Sequence, residues 1–412
     1  MKNLLFILPW LPYPLKSGGH QAIFNGIKAV VEDYNVFITY DKNENDDDSE
    51  EQANLTKALG HTVTILPYTN KIQKEKPSFP LRCYIRFWNI KERIKNLFRP
   101  KQKIYSPYFF KIAVSDNKKI LFISDIIKSY NIDIAQCEMV PRISDILYLP
   151  SSVKKIYVQH QIDYIRNQLD LKQQNLISKY EKELYQSKQS EIFLLNQFDS
   201  IIALSGHDKN IMEKDGVSVP IYVSPAIVST EPRPFKNTAK KKVLSFVGPS
   251  RHPPNVEGLQ WFLKNCWREL KKKDGDYVLQ IIGEWDHSLE QSISKEFPEI
   301  KFCGFVPNLE KIIQNTVMIV PINIGSGIRM KILEAISLGI PVVSTVIGAQ
   351  GLPLKDQIDC YITDDARTFV LDILKLKDTD IQQRMVKNAQ RSIFNSYSFA
   401  SMKTTRLKLY NT

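Results

Sequence analysis

A repeated alternation constrains this chain more than any single residue does. Short apolar runs of strand length are separated by stretches with helical spacing. In the first half the runs are Leu4–Leu8, Tyr34–Thr39, Thr62–Leu66, Ile132–Gln136, Lys155–Val158 and Ser200–Leu204. Helical patterns fall between them at Gly19–Val31, Lys118–Tyr130 and Leu176–Asn196. The second half repeats the scheme, with strands at Lys242–Val247, Val278–Ile282, Lys301–Phe302, Val317–Val320 and Pro341–Ser344. Its helices fall at Val256–Lys271, Leu289–Phe297, Leu309–Gln314 and Ile328–Leu338. Strands separated by helices pair in parallel, in sheets covered on both faces. Ser224 to Lys242, with Pro225, Pro232, Pro234 and the run Lys240-Lys241-Lys242, has the composition of a linker. The pattern predicts an α/β chain with a first domain over 1–225, a linker over 226–241 and a second domain over 242–385. A basic, aromatic final helix, read from about Gln382 to Leu409 and assigned to 386–412, is long enough to return to the first domain.

Doubly wound domains hold ligands at the carboxyl ends of their strands. Three such ends here carry glycine. Leu4–Leu8 leads through prolines to Ser17-Gly18-Gly19 and a helix. Val247-Gly248 leads to Arg251 and then Pro253-Pro254-Asn255. Val317–Val320 leads through Gly325-Ser326-Gly327-Ile328 to Arg329, Lys331 and Glu334, with Gly339 and Pro341 as stop signals. A glycine turn at a helix N-terminus gathers free N–H groups and a positive dipole end, which suits phosphate. Arg329 and Lys331 add two full charges, and a carboxylate at Glu334 is placed to accept from sugar hydroxyls. That chemistry suggests a nucleotide-sugar site. The same segment also reads as an ordinary strand–turn–helix unit with its charges in water.

The chain has 412 residues and a net charge of +12, very unevenly spread. Residues 71–119 contain fourteen Lys or Arg against three acids, and 41–51 contain seven acids against one lysine. The acidic run reads as a solvated loop. In the basic region Phe87, Ile90, Ile94 and Leu97 recur at helical spacing among Arg86, Lys91, Arg93, Lys95 and Arg99. Such a helix either packs its stripe on its own domain or lies on an anionic membrane surface. No nucleic-acid-binding motif accompanies the charge. The five cysteines, Cys83, Cys137, Cys266, Cys303 and Cys360, have neither zinc nor redox spacing, which points to a reducing compartment. The opening Met1–Pro9 reads as a first buried strand rather than a signal peptide, and no apolar run has the length of a membrane span.

The second half resembles the donor domain of GT-B-fold retaining glycosyltransferases of the group 1, or family 4, type. The resembling residues are Phe246-Val247-Gly248 with Pro254-Asn255, Ile281-Ile282-Gly283, and Gly304-Phe305-Val306 with Leu309. The last block runs from Pro321 through Gly325–Ala335 to Gly339–Thr345 and Gly348. Gly18-Gly19, His160 with Arg166, and Phe198–Ser205 with Asp208 are similar to the landmarks of the acceptor domain. The resemblance implies two Rossmann-like doubly wound domains facing across a cleft, with a C-terminal helix crossing back. It implies transfer of a sugar from a nucleoside diphosphate donor to a glycan or lipid-linked acceptor, without a metal or other cofactor. The place implied is the cytoplasm, or the inner membrane face if 71–119 binds lipid. His160, Arg329 and Lys331 take the catalytic positions. Gly18, Gly19, Gly248, Arg251, Gly283, Phe305, Val306, Gly325, Ser326, Gly327, Ile328 and Glu334 take the donor-binding ones, with Glu334 on the ribose. The family pattern has a second glutamate where this chain has Ser326, which shifts sugar recognition toward the backbone N–H groups of the Gly325–Ile328 turn. It also has a lysine on the first donor-domain loop, absent here, so that Arg329 and Lys331 take over that work. The Ser326 departure keeps a non-catalytic nucleotide-sugar or glycan-binding module as an alternative, with a sugar-nucleotide epimerase as another.

Among the remaining residues, Asp274-Gly275-Asp276 reads as a turn before a strand rather than a metal triplet. Glu138 follows a strand and either faces the acceptor or caps the surface. His20 borders the first glycine pair. His61, His207, His252 and His287 show no metal spacing.

Overall fold

The computed structural model describes residues 1–43, 47–69, 117–227, 232–235 and 242–412. The basic region 71–119 lies outside the described residues except for its last three, which open the Asn117–Ser129 helix. Cys83 and most of the linker at 226–241 lie outside them as well.

The alternation builds two parallel sheets. The first contains β1 (Asn3–Leu8), β2 (Asn35–Lys42), β3 (Thr64–Thr69), β4 (Ile134–Glu138), β5 (Lys154–Gln159), β6 (Ser200–Ala203) and β7 (Ile221–Val223). Their order is β3-β2-β1-β4-β5-β6-β7. The second contains β8 (Val243–Val247), β9 (Val278–Ile282), β10 (Lys301–Phe302), β11 (Val317–Val320), β12 (Val342–Ser344) and β13 (Tyr361–Ile362), in the order β10-β9-β8-β11-β12-β13. Strand order reverses between β1 and β4 in one sheet and between β8 and β11 in the other, which opens a crevice at each point. Phe6 pairs with Ile38 on one side and Gln136 on the other. Met318 pairs with Val342 and Ser245.

Successive side chains of a strand point to opposite faces, and here both faces are apolar. Leu4, Phe6 and Leu8 enter one core while Leu5 and Ile7 enter another. The first of these cores continues into the second domain through Met318, Val320, Ile332 and Ile336. Leu244, Phe246, Leu279, Ile281 and Trp267 fill the other face of the second sheet.

Three local readings change. The acidic run is only partly a loop, because a helix opens at Ser49 with Asp48, Glu50 and Glu51 at its positive end. Asp163–Gln173 and Gly206–Asp215 are helices that the apolar spacing does not announce. The single C-terminal helix is two, Thr379–Phe394 and Phe399–Asn411, and Ser398 caps the second by accepting from the Ser401 N–H.

That last helix does return to the first domain. Tyr34 Oη donates to Asn411 Oδ1 at 3.0 Å, and Lys154 Nζ donates to the Leu409 carbonyl at 2.5 Å. Lys403 pairs with Glu32 at 2.7 Å. Arg406 lies so close over the first helix that a Cβ on Gly26 would sit 2.8 Å from its Nη1. Leu409 is fully buried there while Thr404 faces water. Leu409→Ala should therefore cost about 2–5 kcal/mol in urea unfolding. Thr404→Ala on the same helix should stay within about 0.5 kcal/mol of the parent.

Candidate functional site

The glycine-bearing strand ends meet where the two sheets face each other. The turn after β11 is seated on the backbone of the first domain. Gly327 has φ +75°, and a Cβ there would stand 2.3 Å from the His160 carbonyl oxygen. Only glycine fits, for two independent reasons: left-handed backbone and absent space. Ser326 is buried and its Oγ donates to the Ile162 carbonyl at 2.8 Å. The buried Asp208 carboxylate faces the Gly327 amide and the Arg329 guanidinium, and desolvation raises its pKa. Gly18 lies against Met330, at the start of the Met330–Ser337 helix, where a Cβ on the glycine would stand 2.7 Å from the methionine Cβ.

The cations behave differently from one another. Arg329 Nη1 donates to the Ser326 and Gly327 carbonyls at 2.6 and 2.8 Å, bracing its own turn. Its Nε and Nη2 are buried and have no hydrogen-bond partner among the described residues. Desolvation lowers its pKa to about 10, against the pull of Asp208. Lys331 reaches back across the domain to Asn255 Oδ1 at 2.8 Å, 5.1 Å above the Phe246 ring. It thus brings a lysine to the loop after β8, where the sequence has none. Desolvation, then Arg329, push its pKa down to about 7. His252 is held below its ordinary value by desolvation and by Lys331, Arg329, Arg166 and Arg251. His20, its Nδ1 2.7 Å from Ser17 Oγ, is lowered to about 4 by desolvation, Arg251 and Lys16. Cations of both domains thus act on these two imidazoles.

The other expected residues are distributed around this centre. Glu334 lies beside Gln21 of the first domain, and desolvation raises its pKa to about 7. Gly283 packs on the other loop: at φ +128°, a Cβ would lie 2.8 Å from the Gly248 carbonyl carbon. The Gly283 N–H donates to the Gly304 carbonyl at 2.8 Å, next to the exposed Phe305 and the partly buried Val306. Gly19 lies under Met139, and Ile328 is covered near Gly351 and Ser205. Gly325 lies over the Arg329 guanidinium. The Ser326 hydroxyl is used on the Ile162 carbonyl. Asp274 and Asp276 take ion pairs with Lys242 at 2.6 and 3.2 Å. Among the described residues, no three His, Cys, Asp or Glu side chains converge to hold a metal ion. Nor is any helix among them long and apolar enough to cross a membrane. The described cysteines, Cys137, Cys266, Cys303 and Cys360, are free.

Two carboxylates carry more than the sequence reveals. Glu138 is neither on the surface nor open to an acceptor: it is fully buried, with Oε2 at 2.6 Å from His160 Nε2. Glu191, also fully buried, accepts from the Asp163 and Tyr164 N–H groups at 3.3 and 3.1 Å and from Gln159 Nε2 at 2.9 Å. It caps the Asp163–Gln173 helix from outside and so fixes the loop bearing His160 and Ile162. Burial raises its pKa to about 8. A strand-end position hints at Glu138; nothing local marks Glu191.

Residues 241–378 match the family model described as glycosyl transferases group 1. Over that third of the chain the sequence is similar to the group 1 glycosyltransferases. Over the whole chain the fold is GT-B, similar to the crystal structure of TarM, with a TM-score of 0.71, 14% identity and coverage of 100% and 99% of the two chains. Anabaena HepE in complex with UDP and glucose is similar at a TM-score of 0.65, 11% identity and 99% coverage of both chains. An Escherichia coli UDP-Gal:alpha-D-GlcNAc-diphosphoundecaprenol alpha-1,3-galactosyltransferase is 22% identical over 241 residues, 50% of this chain and 59% of that protein. An uncharacterized 44.6 kDa protein in the cps region of Klebsiella pneumoniae is 25% identical over 234 residues, 53% of this chain and 56% of that protein. The matched stretch thus spans little more than half of either curated relative.

Gly327→Ala tests the seating of the turn. The left-handed backbone alone costs about 1–2 kcal/mol. The added methyl must also push the turn off His160. The expected result is a lower melting temperature and a larger radius of gyration by small-angle X-ray scattering.

Proposed function

We propose that this chain transfers a sugar from a nucleoside diphosphate sugar, most simply a UDP-sugar, to a glycan or lipid-linked acceptor, with retention of configuration. The observation that carries this reading is the position of Lys331, whose Nζ reaches Asn255 at 2.8 Å behind the turn braced by Arg329, with Arg166 and Arg251 near enough to act on the same His252. Breaking a sugar–diphosphate bond develops negative charge on the departing phosphate. Fixed cations and the start of the Met330–Ser337 helix stabilise that charge most strongly where water is excluded. They supply what a divalent ion supplies in other transferases, so the reading includes a metal-independent reaction. The E. coli galactosyltransferase is named for a UDP donor and a lipid diphosphate acceptor, and HepE was solved with UDP. Both support the choice of donor class, and the first supports the acceptor class. In a retaining reaction of this kind the acceptor hydroxyl attacks from the face the phosphate leaves, and a phosphate oxygen takes its proton. Glu334 is the residue proposed for the ribose hydroxyls. A membrane location is part of the same reading, through the lipid-linked acceptor alone.

Thermal-shift screening against UDP-, GDP-, dTDP- and ADP-sugars should raise the melting temperature for one base class. With that donor and a diphosphate-lipid acceptor analogue, Lys331→Ala should lower kcat by about 10²–10³-fold. Binding of the donor with neither transfer nor hydrolysis would instead make the chain a nucleotide-sugar-binding module.

Lys331 gives an independent check on the phosphate contact. With its pKa near 7, it is mostly neutral at pH 8. A pyrophosphate binds the ammonium form and raises that pKa, so UDP binding at pH 8 should take up about one proton. Calorimetry in buffers of different ionisation enthalpy should show this uptake. It should disappear in Lys331→Met.

A further inference from the structure

The fully buried Glu138 does not stand alone. Its Oε2 lies 2.6 Å from His160 Nε2, and its Oε1 accepts from Gln136 Nε2 at 2.6 Å. Gln136 Oε1 in turn accepts a short hydrogen bond from Tyr410 Oη. Tyr410 belongs to the helix that crosses back from the second domain, and its ring meets the edge of Tyr34 at 5.5 Å and 88°. Gln136, Glu138 and Tyr410 are all fully buried. The residue after Glu138 is held in an unusual conformation: Met139 has φ +67°, and its Cε lies 2.7 Å from a Cβ placed on Gly19. Strained backbone of this sort is retained where the surroundings over-determine it.

With Glu138 ionised and His160 neutral, the donors and acceptors allow one arrangement. The Tyr410 hydroxyl has its proton to give, so Gln136 presents its oxygen to Tyr410 and its amide to Glu138. Glu138 then has one remaining oxygen, which accepts from His160. A carboxylate accepts only, so the proton between Glu138 and His160 sits on Nε2. Nδ1 is left with its lone pair, and the His160 side chain is 12% exposed at the crevice.

We propose that Glu138 is a positioning residue for sugar transfer, holding His160 as the Nε2–H tautomer with Nδ1 as acceptor for a substrate hydroxyl, and that Gln136 and Tyr410 fix Glu138 in that role. The proposal rests on the sugar-transfer reading for its catalytic consequence, but not for its structural content. It makes the C-terminal helix part of the site without touching substrate.

The test uses the full chain labelled with nitrogen-15 histidine, with the His160 signals assigned by their loss in His160→Gln. The parent protein should show His160 protonated on Nε2 and bare on Nδ1. In Glu138→Gln the new amide can donate to His160 Nε2 while its oxygen still accepts from Gln136, with the Gln136–Tyr410 end of the line unchanged. The Nδ1–H tautomer should then appear, and kcat should fall about 10–100-fold, the size seen when a residue that orients a histidine is removed. The KM for donor should change less than about threefold, since the lost effect lies in the transition state. Tyr410→Phe, which keeps the ring and its packing, should give a smaller fall in kcat in the same direction. An Nδ1–H tautomer in the parent protein would overturn the proposal without any variant. So would a folded Glu138→Gln protein with parental tautomer and kcat. If the parent protein transfers and hydrolyses no nucleotide sugar, the functional reading fails, and the imidazole spectrum still decides the tautomer.

Discussion

The contact of Gly327 with the His160 carbonyl is the joint from which the rest of the crevice is built. A turn that carries the charges of one domain rests on the backbone of the other. Ser326 and Asp208 reinforce the seat from the two sides, one by a hydroxyl on Ile162 and the other by charge facing Arg329. The first domain's half of the joint is itself braced, because Glu191 ties down the loop from Gln159 to Tyr164. The position of Lys331 and Glu334 relative to His160 follows from this seat and not from either sheet alone.

Electrostatics gives the joint its purpose. Arg329 has two buried nitrogens without partners among the described residues, and Lys331 is driven toward neutrality by burial and by Arg329. Positive groups held in a partly dry space are costly unless an anion answers them. Within the first domain, Asp208 offsets part of that charge, and the Asp163 carboxylate holds Arg166 at 3.2 Å. What remains is an excess of positive charge. The desolvation that costs these groups stability is also what strengthens the field they set up.

Much of this is legible in the sequence where a local rule applies. β9 and β11 coincide with their apolar runs because strands buried on both faces leave a continuous apolar signature. β7 and β13 are short edge strands and leave almost none. The helix at Asp163–Gln173 is hidden because it begins with no capping side chain of its own and is finished by Glu191, twenty-eight residues from Asp163. The glycine turn announces a strand–turn–helix element, but the partner of Ser326 comes from the other domain, which no local pattern encodes. Lys331 filling the loop after β8, and Glu138 turning inward to His160, are likewise consequences of topology. The break between the last two helices is masked because basic and aromatic residues continue across it.

The terminal helix also shapes how the molecule comes into being. The face of the first domain around Gly26, Tyr34 and Lys154 is sealed by Arg406, Leu409 and Tyr410. During synthesis the first domain leaves the ribosome long before those residues do. It must wait with an apolar seam and the buried amide of Gln136 uncovered while the entire second sheet is made. The nascent protein therefore carries a period of vulnerability to chaperones and proteases that its order of translation imposes.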